Sequence, residues 1–178
     1  MIAPSHGNIY DQPEFITRAW KEWVLGRPKN LVVLPYVSMR GSTGEMVDHF
    51  VSVLVDKGVR VQPYDLTVTD IGKLAIDLVD AGTIVVGSST VLAGPHPLAV
   101  YGTFLANALR PGAKFVSIIG SYGWGGKTVE TLAGMIPNIK AEVLEPVLCK
   151  GRPKQDTFKA LEALAGTIAE KHKEQGFE

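Results

Sequence analysis

The chain has 178 residues, 46% of them hydrophobic, which suits one compact domain with a single buried core. Lysine plus arginine and aspartate plus glutamate number 18 each, so no net field draws the protein onto nucleic acid or an anionic membrane. A lone cysteine, Cys149, rules out an intrachain disulfide and favours a reducing compartment; residues 1–6 carry no leader pattern and no apolar run reaches bilayer length, so a soluble cytoplasmic protein is expected.

Residues 13–24 carry Phe15, Ile16, Ala19, Trp20 and Trp23 at three-and-four spacing, with Pro13 in the first turn. That spacing predicts an amphipathic helix, which Gly26, Pro28 and Asn30 end. Apolar, β-branched runs follow at 31–36, 59–64, 83–87 and 115–120, with a weaker fifth at 141–147. Helical patterns cover 43–57, 70–80, 97–109, 125–135 and 154–173, the last with Phe158, Leu161, Leu164, Ala165 and Ile168 on one stripe. The strand runs do not alternate, as befits parallel strands covered on both faces, and the spacers are long enough for crossover helices. The succession predicts an α/β fold: an open, doubly wound, five-stranded parallel sheet with helices on both faces, plus an extra N-terminal helix. There is no internal repeat or low-complexity tract; residues 1–29 stand outside the alternation and 30–178 form the domain.

In such a sheet ligands bind beyond the carboxyl ends of the strands. The loop after the first strand offers Ser38, Met39, Arg40, Gly41, Ser42 and Thr43. Its hydroxyls, and N–H groups turned inward at Gly41, are what a phosphate monoester needs at a helix start, while Arg40 either adds charge or faces solvent. A helix cap supplied by Ser42 or Thr43 accounts for the same residues equally well. No Gly-Lys-Ser/Thr follows the glycine, which disfavours Walker-type nucleotide binding, and no acidic cluster ends the first strand, which disfavours a receiver domain. The loop after the fourth strand reads GSYGWGG over 120–126. Its glycines let the backbone approach a flat ligand, against which the rings of Tyr122 and Trp124 can lie; the alternative is that Trp124 packs on the sheet rim as core. Ser121, Gly123 and Gly125 share that loop, and Gly125-Gly126 are expected to open the next helix. The loop at 88–97 supplies the remaining wall from Ser89, Thr90, Val91, Leu92, Ala93 and Gly94, with backbone groups able to tune a flavin. A phosphate cradle after strand one and an aromatic loop after strand four together describe a flavin mononucleotide (FMN) site.

Ser38-Met39-Arg40-Gly41-Ser42-Thr43, the run 87–90 leading to Pro97, and GSYGWGG resemble the flavodoxin-like domain of the A-type flavoproteins, or flavodiiron proteins, and the match covers essentially the whole chain. The resemblance implies the flavodoxin fold with strand order 2-1-3-4-5, FMN held by residues 38–43, 89–94 and 121–125, and a redox carrier without catalytic side chains. In that family the flavodoxin-like part follows a metallo-β-lactamase-like domain whose two irons reduce oxygen or nitric oxide. Residues 1–29 resemble the junction between the two, with His6 at the position of the last iron-ligand histidine. One histidine makes no diiron site, and His49, His96 and His172 are scattered, so no metal is expected in this chain. The implied partners are a rubredoxin-like or other electron donor and a separate diiron protein; a homodimer is open as well. Trp20 and Trp23 suit an interface or packing onto the sheet. Two positions depart from the family: Ser89-Thr90 followed by Val91-Leu92 replaces proline, threonine and asparagine, and Arg40 replaces an aromatic residue, which bears on flavin affinity and potential. An NAD(P)H-dependent flavin or quinone reductase and a flavin-free interaction subunit are the alternatives.

Overall fold

The computed structural model describes residues 1–25 and 27–178, with the side chains of all of these except Trp23. In chain order the elements are α1 (Pro13–Leu25), β1 (Leu31–Val37), α2 (Ser42–Asp56), β2 (Arg60–Asp65), α3 (Ile71–Asp80), β3 (Thr83–Val91), β4 (Gly94–Pro95), α4 (Pro97–Leu109), β5 (Phe115–Tyr122), α5 (Thr128–Gly134), β6 (Glu142–Val143), β7 (Val147–Lys150) and α6 (Gln155–Glu174). The strands lie in the order β2-β1-β3-β5, with β6 and β7 both parallel to β5 on its far side. This is the expected order 2-1-3-4-5, with the fifth strand in two pieces. Glu145-Pro146 separates them, where proline has no N–H for the ladder, and the Ser117 hydroxyl of β5 takes up the Glu145 carbonyl at 3.2 Å.

Strand alternation divides the interior into two layers. Val32 and Leu34 of β1, with Val85 and Ile119, pack under Met46, Phe50, Leu161 and Ile168 of α2 and α6. Val33, Ile84, Val86 and Ile118 face the other way, onto Leu74, Leu78, Ala99 and Leu132 of α3, α4 and α5. Burial on both faces explains why the runs of β1, β3 and β5 are mostly apolar rather than alternating. The run at β2 behaves differently: it is the edge strand, and Arg60, Gln62 and Pro63 are exposed.

Two helices carry apolar residues that the domain does not cover. Among the described residues of the expected α1 stripe only Ile16 is buried; Phe15 and Trp20 are 67% and 60% exposed, so the helix does not pack onto the sheet through them. The expectation for Trp23 lies outside the described residues. α4 has no charged residue over its whole length, and its outward face shows Tyr101, Phe104 and Leu109. At the amino ends of the strands, buried His172 bridges Thr83 (2.7 Å) and Asn30 (2.9 Å). Since Asn30 Oδ1 faces Nδ1, the neutral ring donates there and accepts the Thr83 hydroxyl proton on Nε2. Burial pushes its pKa down from 6.5 to about 4. No helix among the described residues is long and apolar enough to cross a membrane.

Candidate cofactor site

A cavity of about 420 Å³ opens at the carboxyl ends of β1, β3 and β5. Met39, Arg40 and Ser42 line it from the first loop, Ser89, Thr90, Val91, Leu92 and Ala93 from the second, Ser121, Tyr122, Gly123 and Trp124 from the third, and Gly151 closes the far side. Three loops far apart in sequence thus meet at one place, because the doubly wound sheet sets the ends of its central strands side by side.

Beneath the cavity the loops are tied by hydroxyls. Ser89 Oγ donates to the Val37 carbonyl (3.3 Å) and accepts the Met39 N–H (3.2 Å). Its proton being engaged, Thr43 must donate to Ser89 (3.1 Å), and Ser121 must donate to Thr43 (3.0 Å). The run Ser121, Thr43, Ser89, Val37 therefore has one direction and fastens β1, α2, β3 and β5 together. Thr43 is fully buried, so its hydroxyl belongs to this tie rather than to the cavity wall.

The start of α2 is open. Its cap residue is Gly41, in the left-handed region at φ 84° where glycine is favoured, and no side chain caps it. Neither Ser42 nor Thr43 serves as the cap. Ser38 reaches forward to accept the Gly44 N–H at 2.9 Å, and Gly41 accepts that of Glu45 at 2.8 Å. The N–H groups of Ser42 and Thr43 keep no protein partner among the described residues, beside the Ser42 hydroxyl and Arg40. An uncapped helix start of this kind suits an anion.

The second loop is a hairpin rather than an irregular segment. β3 runs on to Val91, turns at Leu92 and Ala93, and returns as β4 to pair antiparallel with itself. Leu92 (φ 48°) and Ala93 (φ 61°) are both left-handed, the geometry of a tight turn that ordinarily takes Asn-Gly. A β-carbon in that region costs roughly 1–2 kcal/mol per residue. Leu92 stands 97% exposed at the tip. In the third loop Trp124 is 79% exposed, which rules out its packing as core, while Tyr122 is half-buried beside Lys150 in the sheet register. α5 begins at Thr128, so Gly125-Gly126 do not open it; they extend the loop.

Of the residues expected from sequence, Ser38, Gly41, Thr43, Gly94 and Gly125 lie outside the cavity lining, acting as turns and ties behind it. Gly151 was missed; it follows the weak fifth strand and has φ 74°. The histidines have other roles: His96 caps α4 by accepting the Leu98 N–H at 3.1 Å, and His6 is exposed. Cys149 lies under the site, 3.5 Å from Met46 Sδ; burial, then Glu45, pushes its thiol pKa up, which disfavours the thiolate. Among the described residues the lining contains no carboxylate, histidine or cysteine. It offers hydroxyls, one guanidinium, a phenol and an indole, which can hold and orient a group that brings its own chemistry.

The residues present fit a flavin mononucleotide: an uncapped helix start with hydroxyls for a phosphate, an aromatic loop for a flat ring, and a strand end between them. Fold and site define a flavodoxin-like domain. The rubredoxin-oxygen oxidoreductase of Megalodesulfovibrio gigas is 30% identical over 172 residues, covering 94% of this chain and 43% of that protein. A nitric oxide reductase of Moorella thermoacetica is 33% identical over 146 residues, 80% of this chain and 36% of its own length. Among solved structures, the rubredoxin oxygen:oxidoreductase from Desulfovibrio gigas superposes with a TM-score of 0.87 at 28% identity, over 93% of this chain and 41% of that one. A flavodoxin from the domain Archaea superposes with a TM-score of 0.69 at 27% identity, over 80% of this chain and 99% of its own. No protein-family model matches. The chain belongs to the flavodiiron protein family, as its flavodoxin-like, FMN-binding domain. It spans about two fifths of the length of the curated relatives it matches.

Proposed function

We propose that this chain binds FMN in the cavity described and carries electrons between protein partners. The observation that carries this reading is the meeting, in one cavity, of the uncapped α2 start and the Tyr122–Trp124 loop. FMN supplies one- and two-electron transfer; the protein supplies position and exclusion of water. Ser42, Arg40 and the first N–H groups of α2 receive the phosphate. Tyr122 and Trp124 wall the ring, and the Thr90 to Ala93 backbone borders its polar edge. Thr43, Ser89 and Ser121 hold the loops at their separation without touching the reacting atoms. Met39, Leu92 and Trp124 present exposed apolar surface at the mouth, the chemistry of a small protein-docking patch.

The acceptor is an oxygen- or nitric-oxide-reducing diiron site and the donor a rubredoxin-like protein; the names of the relatives support both. Residues 30–178 form the flavin-binding unit and residues 1–29 a junction, for which the exposed Phe15 and Trp20 are the support. The location is cytoplasmic. The test is titration with FMN and with riboflavin, followed by gel filtration and a visible spectrum. We expect a yellow protein that prefers FMN by about tenfold or more, the contribution of the phosphate. A colourless protein, or equal affinity for both flavins, refutes the site assignment. Fast reduction by rubredoxin and slow reduction by NADH or NADPH is the expected kinetic signature of a carrier.

A further inference from the structure

The left-handed pair Leu92 and Ala93 lacks the glycine or asparagine that ordinarily relieves such a turn. Strain of this kind persists only where the surroundings over-determine it. The third loop does so here. Lys127 donates its N–H to the Ala93 carbonyl at 2.9 Å, and the hydroxyls of Thr90 and Thr128 meet at 3.1 Å. Gly126 lies so close to the hairpin that a β-carbon placed on it would stand 2.7 Å from Ala93 O and 2.9 Å from Ala93 C. Those are backbone atoms, which cannot swing aside as the end of a flexible side chain can.

We infer that Ala93, Gly126 and Lys127 form a backbone clasp that sets the distance between the two walls of the flavin slot, and that Gly126 is a positioning residue acting through Ala93. Gly126 does not line the cavity. Any side chain there drives the Leu92-Ala93 tip outward and widens the slot. The clasp ties together two loops that the sequence separates by more than thirty residues, the hydrogen-bonded threonines alone lying 38 apart. Its effect on flavin rests on the function proposed above; the clasp itself does not.

The test uses Gly126→Ala and Thr128→Val, with Gly134→Ala as control because an added β-carbon at Gly134 meets nothing within 4 Å. Two readouts are taken: amide exchange at Lys127 in flavin-free protein, and FMN affinity with the midpoint potential of the bound flavin. We expect the Lys127 amide to be protected in the parent protein and to exchange about tenfold faster in Gly126→Ala. FMN affinity should fall about tenfold in Gly126→Ala and roughly threefold in Thr128→Val, with a displaced potential, while Gly134→Ala matches the parent. A folded Gly126→Ala protein with parental exchange at Lys127, or with parental affinity and potential, overturns the inference. Should Gly126→Ala fail to fold, Thr128→Val decides by the same readouts, and parental values there overturn it. If the parent protein binds no FMN, the proposed function fails, and Lys127 exchange still decides whether the clasp exists.

Discussion

Replacing Thr43 by valine removes the hydroxyl at the middle of the tie beneath the cavity while keeping the shape of a fully buried side chain. Two hydrogen bonds are lost, each worth a net ~0.5–1.5 kcal/mol. Ser89 keeps its bonds to Val37 and Met39, and Ser121 faces the cavity, where water can replace Thr43. The damage is therefore confined to the lost bonds, about 1–3 kcal/mol. In a domain of this length each kcal/mol lowers the melting temperature by about 2–4 °C, so calorimetry should show a fall of roughly 2–12 °C. Because one of those bonds belongs to Ser121, Thr43→Val and Ser121→Ala should be non-additive by about 1 kcal/mol in a double-mutant cycle. Thr43→Val and Lys29→Ala, the latter removing the ion pair with Asp80 beyond the opposite end of β1, should add within about 0.5 kcal/mol. FMN affinity should weaken with the tie. A Thr43→Val protein that melts at the parental temperature, or that adds cleanly with Ser121→Ala, would show that the hydroxyls are not one unit.

His172 and Trp124 yield two further outcomes. With its folded-state pKa lowered from 6.5 to about 4, His172 contributes stability that is complete above pH 6.5 and lost as pH falls through 4, since the unfolded chain takes up the proton first. Over that window the loss is about 3 kcal/mol; urea unfolding of the parent should show it, and His172→Asn should flatten the slope, equal slopes in both proteins being the contrary result. Trp124→Ala should leave stability within about 0.5 kcal/mol, because the ring is exposed, yet weaken FMN binding roughly threefold to tenfold through the lost ring contact. Unchanged flavin titration with this variant would remove Trp124 from the wall.

The parts of the fold that were legible are those where one requirement dominates. β1, β3 and β5 are buried on both faces, so apolar residues dominate them and their few hydroxyls are hydrogen-bonded, and α4 runs over Pro97–Leu109 as its pattern predicts. The fifth run, at 141–147, takes in β6 and only the first residue of β7, because the break at Glu145-Pro146 is a matter of ladder hydrogen bonding rather than hydropathy. The hairpin at Leu92-Ala93 was hidden, since its turn type normally announces itself with Asn-Gly and here a tertiary clasp substitutes for that local preference. At Thr43 the residue was legible and its direction was not, although a signal existed: Thr43 is in helical phase with Met46, Val47, Phe50 and Leu54, the buried face of α2. The stripe on α1 showed correctly that the helix has two faces, but a periodic pattern cannot say what covers the apolar one. Gly151 joins the site only through the β5–β7 pairing, and no local spacing records that.

The uncharged outer face of α4 also governs how the molecule behaves in bulk. A chain with 18 basic and 18 acidic residues has no colloidal repulsion near neutrality, and α4 then offers Tyr101, Phe104 and Leu109 without a charge among them. The balance of those two features puts the expected solubility minimum close to pH 6.9, where the composition brings the net charge to zero. Away from that pH, on either side, net charge restores repulsion between molecules while leaving the face itself unchanged.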